Sequence, residues 1–295
     1  MFDVSGWSEQ FRGNNPIDRL AAAIFVGSTN PGARLMGMFT AYFDAAGNAQ
    51  EQPFVIVAGY IANFFQWGTF EHSWKEAHSR YGLQLPFHMA TFMAAQTNKN
   101  YVYQKNARQD YISIAADPDK SHDFLKTLCI AQATVVNCAV SCTVPMDVYK
   151  GVSSLLELRE VIPPYALAAR TCIGRIRKWE KYFGVEEPVE CIFEEGDFEQ
   201  GKFSRLMVDE GMDLPIYKKK VDFAGLQAAD QYAWEQYSYR KEAMLSQAAV
   251  VRKPFQLLLE AIPRMYVEPT TATLINLCHQ KGIDPKTGIQ HEKTK

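Results

Sequence analysis

Three acidic residues occur at positions where a carboxylate is costly unless it has a partner. Asp44 follows the apolar run 41–43, Glu194 follows the apolar pair 192–193, and Asp230 shares a helical face with apolar side chains. If the three acids come together, they repel one another unless a positive charge joins them. Mg²⁺ and Mn²⁺ prefer oxygen ligands of this kind. We therefore expect Asp44, Glu194 and Asp230 to meet in space and to bind Mg²⁺ or Mn²⁺.

Simpler interpretations exist for each acid. Asp230 can pair with a nearby Lys or Arg, or it can lie at the solvent edge of its apolar stripe. Glu194 and Glu195 are adjacent at the end of a strand, so alternation sends their side chains to opposite faces of the sheet. Asp197 follows the Gly196 turn and is a candidate fourth ligand, although Glu195 and Asp197 also fit as polar loop residues.

The chemistry expected of such a site is phosphodiester hydrolysis. Two divalent cations about 3.5–4 Å apart stabilise the attacking and the leaving oxygen of the displacement. His88 is the candidate for orienting water, touching phosphate or protonating the leaving oxygen, with a buried core histidine as the alternative.

Basic residues near these acids are candidates for phosphate contacts. Lys219 and Lys220 precede the helix of Asp230 and are predicted to bind substrate. Gln227, one turn before Asp230, is also a predicted substrate-binding residue, or a group that supports the site from behind. Lysines on a short strand also prevent edge-to-edge pairing, which leaves the role of Lys218 open. A second basic cluster comprises Arg175, Arg177, Lys178 and Lys181. Because the net charge is only -2, any basic footprint must be local.

The predicted elements place these residues in an α/β fold with one mixed sheet and helices on both faces. Alternation in the third strand predicts one face in the core. The predicted strands are 36–44, 53–62, 134–144, 189–195 and 215–221, and the later helices are 163–183, 199–210, 224–243 and 255–262. We expect an N-terminal arm (1–35), a main domain (36–245) with a helical insert (63–132), and a C-terminal helical extension and tail (246–295).

Composition points to a cytoplasmic globular protein. The chain is 47% hydrophobic and 22% charged, which is ordinary for a packed domain. The six cysteines lie mostly in apolar runs without regular spacing, so we expect reduced core thiols and no zinc site. Neither an export signal nor a membrane anchor is predicted. The arm and the tail could support a homodimer or a partner protein.

The motifs together resemble the bacterial family of unknown function called DUF3800. The resemblance covers about residues 39–242. It rests on Tyr42-Phe43-Asp44, Val57–Ala62, Trp67, Phe70, Trp74, Phe87-His88-Met89, Pro164–Leu167, Phe193–Asp197, Gly201, Lys219-Lys220 and Leu226–Asp230.

The resemblance implies a ribonuclease H-like fold and a metal-dependent nuclease that binds nucleic acid. It implies that Asp44 ends the first strand, that Glu194 ends the fourth, and that Asp230 lies on the last helix of the domain. These are the places where such enzymes hold their metals.

The sequence departs from the family at one position. The first family motif usually reads Asp-Glu-Ser-Gly, whereas Asp44 is followed here by Ala45, Ala46 and Gly47. The missing acid motivates an alternative function, a non-catalytic member that binds nucleic acid or protein. A metal-dependent phosphatase of small nucleotides is a third hypothesis.

Overall fold

A computed structural model describes residues 38–47, 52–98, 100–152, 162–196, 199–246 and 249–283. The predicted arm (1–35), Asp197 and the end of the tail (284–295) lie outside the described residues. Ten α-helices and a six-stranded mixed sheet make up the described residues. The α/β class predicted from the sequence is confirmed.

The sheet combines antiparallel and parallel neighbours. Its strand order is β5-β4-β1-β2-β3-β6. β1 pairs antiparallel with β2 and parallel with β4, β2 pairs antiparallel with β3, and the edge strands β5 and β6 run parallel to β4 and β3. The strands are β1 (Phe39–Ala46), β2 (Phe54–Asn63), β3 (Cys138–Pro145), β4 (Glu190–Glu194), β5 (Ile216–Lys218) and β6 (Arg264–Val267).

One set of helices packs on what we call the front face of the sheet, which carries Tyr42, Ala58 and Ile192. Four of them lie between β2 and β3, in the segment predicted as a helical insert. The front helices are α1 (Phe64–Tyr81), α2 (Met89–Thr97), α3 (Gln109–Ala115), α4 (Pro118–Val135), α8 (Ala224–Leu245) and α9 (Lys253–Ala261).

The other helices cover the back face, which carries Phe43, Val57 and Phe193. They are α5 (Met146–Val152), α6 (Pro164–Phe183), α7 (Gln200–Asp209) and α10 (Thr271–Gln280). Local signals set several helix ends as predicted, because Pro164 starts α6 and the left-handed Gly184 ends it.

One expectation about the sheet is wrong, and one strand was not predicted. All eight residues of β3 are buried, so both of its faces are covered and not one. The cause is α6, which packs against β3 from the back while front-face side chains cover the other side. The sequence also gave no sign of β6, a short edge strand with alternately exposed residues that pairs with the middle of β3.

All six cysteines are free and buried, in agreement with the predicted core thiols. In the described ranges, no helix combines the length and the apolar character needed to cross a membrane.

Candidate functional site

The structure brings Asp44, Glu194 and Asp230 together at one edge of the sheet. The carboxyl ends of the parallel strands β1 and β4 meet at this edge, where Phe43 is paired with Phe193. Asp44 and Glu194 each follow that pair by one residue, so alternation directs both side chains to the front face. Asp230 reaches the same point from α8.

Helix α8 can lie close to β1 because residue 225 is glycine. A Cβ atom at Gly225 would stand 2.3 Å from the ring of Tyr42. This close approach carries Asp230, five residues later, over the end of β1. The backbone N–H of Met89, at the start of α2, donates to Oδ2 of Asp230 at 2.6 Å and fixes the carboxylate.

The ammonium group of Lys220 stands at the centre of the three acids. Its Nζ atom lies 2.8 Å from Oδ2 of Asp44, 2.7 Å from Oε2 of Glu194 and 3.0 Å from Oδ1 of Asp230. The Lys220 residue is only 7% exposed. The sequence predicted a phosphate contact for Lys220, but in this conformation its charge is committed to the carboxylates. We call these four side chains the acid–lysine cluster.

Both carboxylate oxygens of Asp44 have a close partner. Oδ1 accepts from the backbone N–H of Ala45 at 2.7 Å. Oδ2 is buried and lies 2.8 Å from the Lys220 ammonium. A buried carboxylate oxygen that faces a positive charge is suited to a cation ligand.

The cluster shifts the acidities of its members. Burial, and then the charge of Asp44, raise the pKa of Glu194 to about 8. The same two causes raise the pKa of Asp230 above its usual range. Burial by itself would lower the pKa of Lys220, but the surrounding carboxylates outweigh burial and raise it. Glu194 is therefore harder to ionise than an exposed glutamate, while Lys220 stays charged.

The raised pKa of Glu194 predicts how stability depends on pH without divalent cations. The pKa of Glu194 is about 8 in the folded chain and about 4.3 in an unfolded one, so the folded state holds the extra proton between these values. The contribution of Glu194 to stability is therefore present at low pH and is lost as the pH rises through 8. We expect Glu194→Gln to flatten the fall in melting temperature from about pH 5 to about pH 9.

The neighbouring exposed Glu195 provides the matched control, since Glu195→Gln should keep the wild-type slope. Equal slopes in wild type and Glu194→Gln, measured in a chelator, would contradict the assignment.

Gln227 organises the scaffold behind the cluster. Its Oε1 atom accepts from Trp74 Nε1 at 3.0 Å and from the backbone N–H of Phe87 at 2.9 Å, and its Nε2 atom donates to the carbonyl of Lys220 at 3.1 Å. At 2% exposure, Gln227 has its amide engaged inside the protein. This corrects the expectation of a substrate contact, because Gln227 holds the backbone of Lys220.

The acid–lysine cluster opens into a cleft of about 370 Å³. Beyond the cluster, the cleft is lined by His88, by the aromatic side chains of Trp234 and Tyr237, and by the turn at Gly47. Gly47 has φ +92°, and a Cβ there would stand 2.1 Å from the carbonyl oxygen of Phe54, so glycine is required. The spacing of Trp234 and Tyr237, four and seven residues after Asp230, was the sequence signal for this wall.

His88 lies at the rim of the cleft, with an exposed side chain, and not in the core. Its Nδ1 atom caps α2 by accepting from the backbone N–H of Thr91 at 3.4 Å. The interpretation of His88 as a buried core histidine is wrong.

Other candidate residues lie farther from the cluster. Lys219 is exposed beside Lys220, and its substrate contact stays a prediction. The second basic cluster belongs to α6 on the back face, where Arg177 pairs with Glu180 and Asp213. It therefore cannot hold phosphate next to the acids, because the sheet separates them.

Ala45 stands where the family motif has an acid, but a side chain at this position does not lie on the front face with the three acids. Ala45 borders the cleft, but its side chain packs against the core cluster of the back face. Alternation along β1 explains this, since adjacent residues point to opposite faces.

Asp44, Glu194 and Asp230 have the right chemistry to bind a hard divalent cation. The present spacing of their carboxylates, however, does not fit one. The three carboxylates supply the oxygen ligands that Mg²⁺ and Mn²⁺ prefer, and Oδ2 of Asp44 already faces a positive charge at 2.8 Å. They are spread around an ammonium, however, and in the described part of the chain no set of three His, Cys, Asp or Glu is arranged to hold a metal ion. Cation binding at these acids thus requires Lys220 to move.

Comparison with known proteins leaves the family open: no family model matches the chain, and no curated protein matches it at a significant level. The resemblance to DUF3800 and to ribonuclease H-like proteins stays a prediction.

Proposed function

We propose that the chain is a divalent-metal-dependent nuclease of ribonuclease H-like type that hydrolyses phosphodiester bonds of nucleic acid. The observation that carries the proposal is the convergence of Asp44, Glu194 and Asp230 from β1, β4 and α8. All three reach within 3.0 Å of a single atom, Nζ of Lys220. Three acids from distant segments meet at the base of a cleft, and Asp44 and Asp230 are buried there. Such an arrangement is costly for stability, and a function at this site explains why it is present.

The three carboxylates are the residues that would hold Mg²⁺ or Mn²⁺. When bound, such cations activate water and stabilise the charge that develops on the leaving oxygen. The chain itself excludes bulk water from the base of the cleft, where Asp44 and Asp230 are buried, and it fixes Asp230 through the N–H of Met89.

The rim of the cleft supplies the groups expected to contact substrate. His88 uses Nδ1 for the helix cap, so we assign Nε2 to proton transfer to the leaving oxygen. Trp234 and Tyr237 line the cleft, and aromatic rings are the side chains on which bases stack. These aromatic walls favour nucleic acid over a small phosphomonoester.

A second candidate function is a metal-free binding protein with the same fold. The observation that favours it is Lys220, whose ammonium already gives the acids a counter-charge. In this case the cleft would bind nucleic acid or a protein without cleaving it.

Cleavage assays test the proposal. The full chain, freed of metal by a chelator, is incubated with single-stranded, duplex and hybrid oligonucleotides with and without Mn²⁺. Bis-p-nitrophenyl phosphate and p-nitrophenyl phosphate compare diester with monoester hydrolysis. We expect Mn²⁺-dependent cleavage of oligonucleotides and the diester. Hydrolysis of the monoester alone would favour a phosphatase, and binding without cleavage would favour the second candidate.

A further inference from the structure

Lys220 places a buried ammonium among three acids. Its ammonium makes three ion pairs at 2.7–3.0 Å with acids that come from three separate elements. An ammonium this deeply buried is stable only because it is paired, and the acids in turn are held together by it. The chain therefore provides its own cation at the point where a metal ligand set would converge.

We propose that Lys220 is a resident counter-ion that competes with a divalent cation for Asp44, Glu194 and Asp230, and so controls the loading of the site. The inference rests on the proposed function, because it names what regulates the same site. The ammonium and a divalent cation repel each other and cannot share the centre of the cluster. Nitrogen–oxygen distances of 2.7–3.0 Å also exceed the 2.0–2.1 Å that Mg²⁺ requires, so the acids must close in after the ammonium leaves.

The surroundings of Lys220 allow its ammonium to move away from the acids while its backbone stays fixed. The carbonyl of Lys220 is held by Nε2 of Gln227, and residues 220–222 form a 3₁₀ turn that leads into α8. The side chain has a flexible four-carbon stem and lines the cleft of about 370 Å³. Rotation towards the cleft would bring the ammonium to the place where a substrate phosphate would lie.

This movement would link cation binding to substrate binding. A cation that displaces Lys220 releases a positive group for the phosphate, and a phosphate that attracts Lys220 leaves the acids open for the cation. By thermodynamic linkage, each ligand must then raise the affinity of the other by the same factor. The predicted phosphate contact of Lys220 would belong to this loaded state.

The test is Mn²⁺ binding, measured by titration calorimetry and by the spin-resonance signal of free Mn²⁺, in the full chain without substrate. Lys220→Met keeps the length of the side chain and removes its charge. We expect the Kd for Mn²⁺ to fall at least about tenfold, because the competing charge is gone. Lys219→Met removes the same charge from the exposed neighbour and should change the Kd by no more than about twofold.

Two further variants show whether a changed Kd for Mn²⁺ comes from the lost charge of Lys220 or from a misfolded protein. Lys220→Gln can still donate a hydrogen bond to the acids, and it should show the same direction of change. The double variant Lys220→Met with Asp44→Asn should lose most of the gained affinity. Without cations, Lys220→Met should melt below the wild type, and added Mn²⁺ should raise its melting temperature more.

Each outcome decides the inference. If the wild type binds Mn²⁺ and Lys220→Met binds it no more tightly, the inference is overturned and the proposed function stands. If only the variant binds Mn²⁺, the inference is supported, and the metal-dependent function of the wild type is overturned in favour of the second candidate. If neither binds Mn²⁺, both are overturned.

Discussion

Replacement of Asp230 by asparagine is expected to lower the rate of Mn²⁺-dependent phosphodiester cleavage about a thousandfold or more. Asparagine keeps an oxygen that can accept from the backbone N–H of Met89, which donates to Asp230 at 2.6 Å. The substitution removes the negative charge that lies 3.0 Å from the Lys220 ammonium at the base of the cleft. The loss should therefore appear in kcat, since the cleft and its rim are unchanged.

The control is Asp222→Asn, which removes the same charge from an exposed residue eight positions earlier. It should leave cleavage unchanged. Circular dichroism and the melting temperature, measured on both variants, separate a lost activity from a lost fold. Full cleavage by Asp230→Asn and by Asp44→Asn would rule out the mechanism, since both acids are placed at its centre.

Replacement of Gln227 by alanine is expected to destabilise the fold by about 3–5 kcal/mol. Gln227 satisfies three groups: Trp74 Nε1, the N–H of Phe87 and the carbonyl of Lys220. Each buried polar group left without its partner costs about 1–3 kcal/mol, and the vacated space adds to the loss. Urea denaturation measures the free energy of unfolding.

Gln256→Ala is the matched control, because Gln256 is an exposed residue of α9 whose amide donates to Glu260 one turn away. Its loss should change stability by no more than about 0.5 kcal/mol. Equal midpoints for the two variants would show that Gln227 does not support the scaffold.

The acid–lysine cluster links these experiments. Its carboxyl groups are held near the carboxyl ends of two parallel strands and on one helix, and its ammonium is held by the turn before that helix. Changes at Asp230 and Glu194 thus alter the carboxyl groups of the site. Changes at Lys220 alter its counter-ion, and changes at Gln227 alter the backbone that supports Lys220. Their effects are expected to be non-additive, because the residues contact one another.

The sequence by itself determined the local elements that present the acids. Proline and a left-handed glycine delimit α6, apolar runs end at Asp44 and Glu194, and helical spacing puts Asp230 on a buried face. These features depend on residues within a few positions of one another. For that reason they could be predicted from one chain without knowledge of its fold.

Only the tertiary structure decided how those elements meet. Strand β6 has little local signal and exists because β3 offers it an edge, and β3 is covered on both faces because α6 packs behind it. The side chain of Ala45 points to the back face, and the α6 basic cluster is on the far side of the sheet from the acids. Lys220, ten residues before Asp230 and far in sequence from Asp44, reaches the centre of the acids through packing that no local pattern encodes. The fold therefore determines that Lys220 is the positive partner of the three acids, and the local sequence motifs do not.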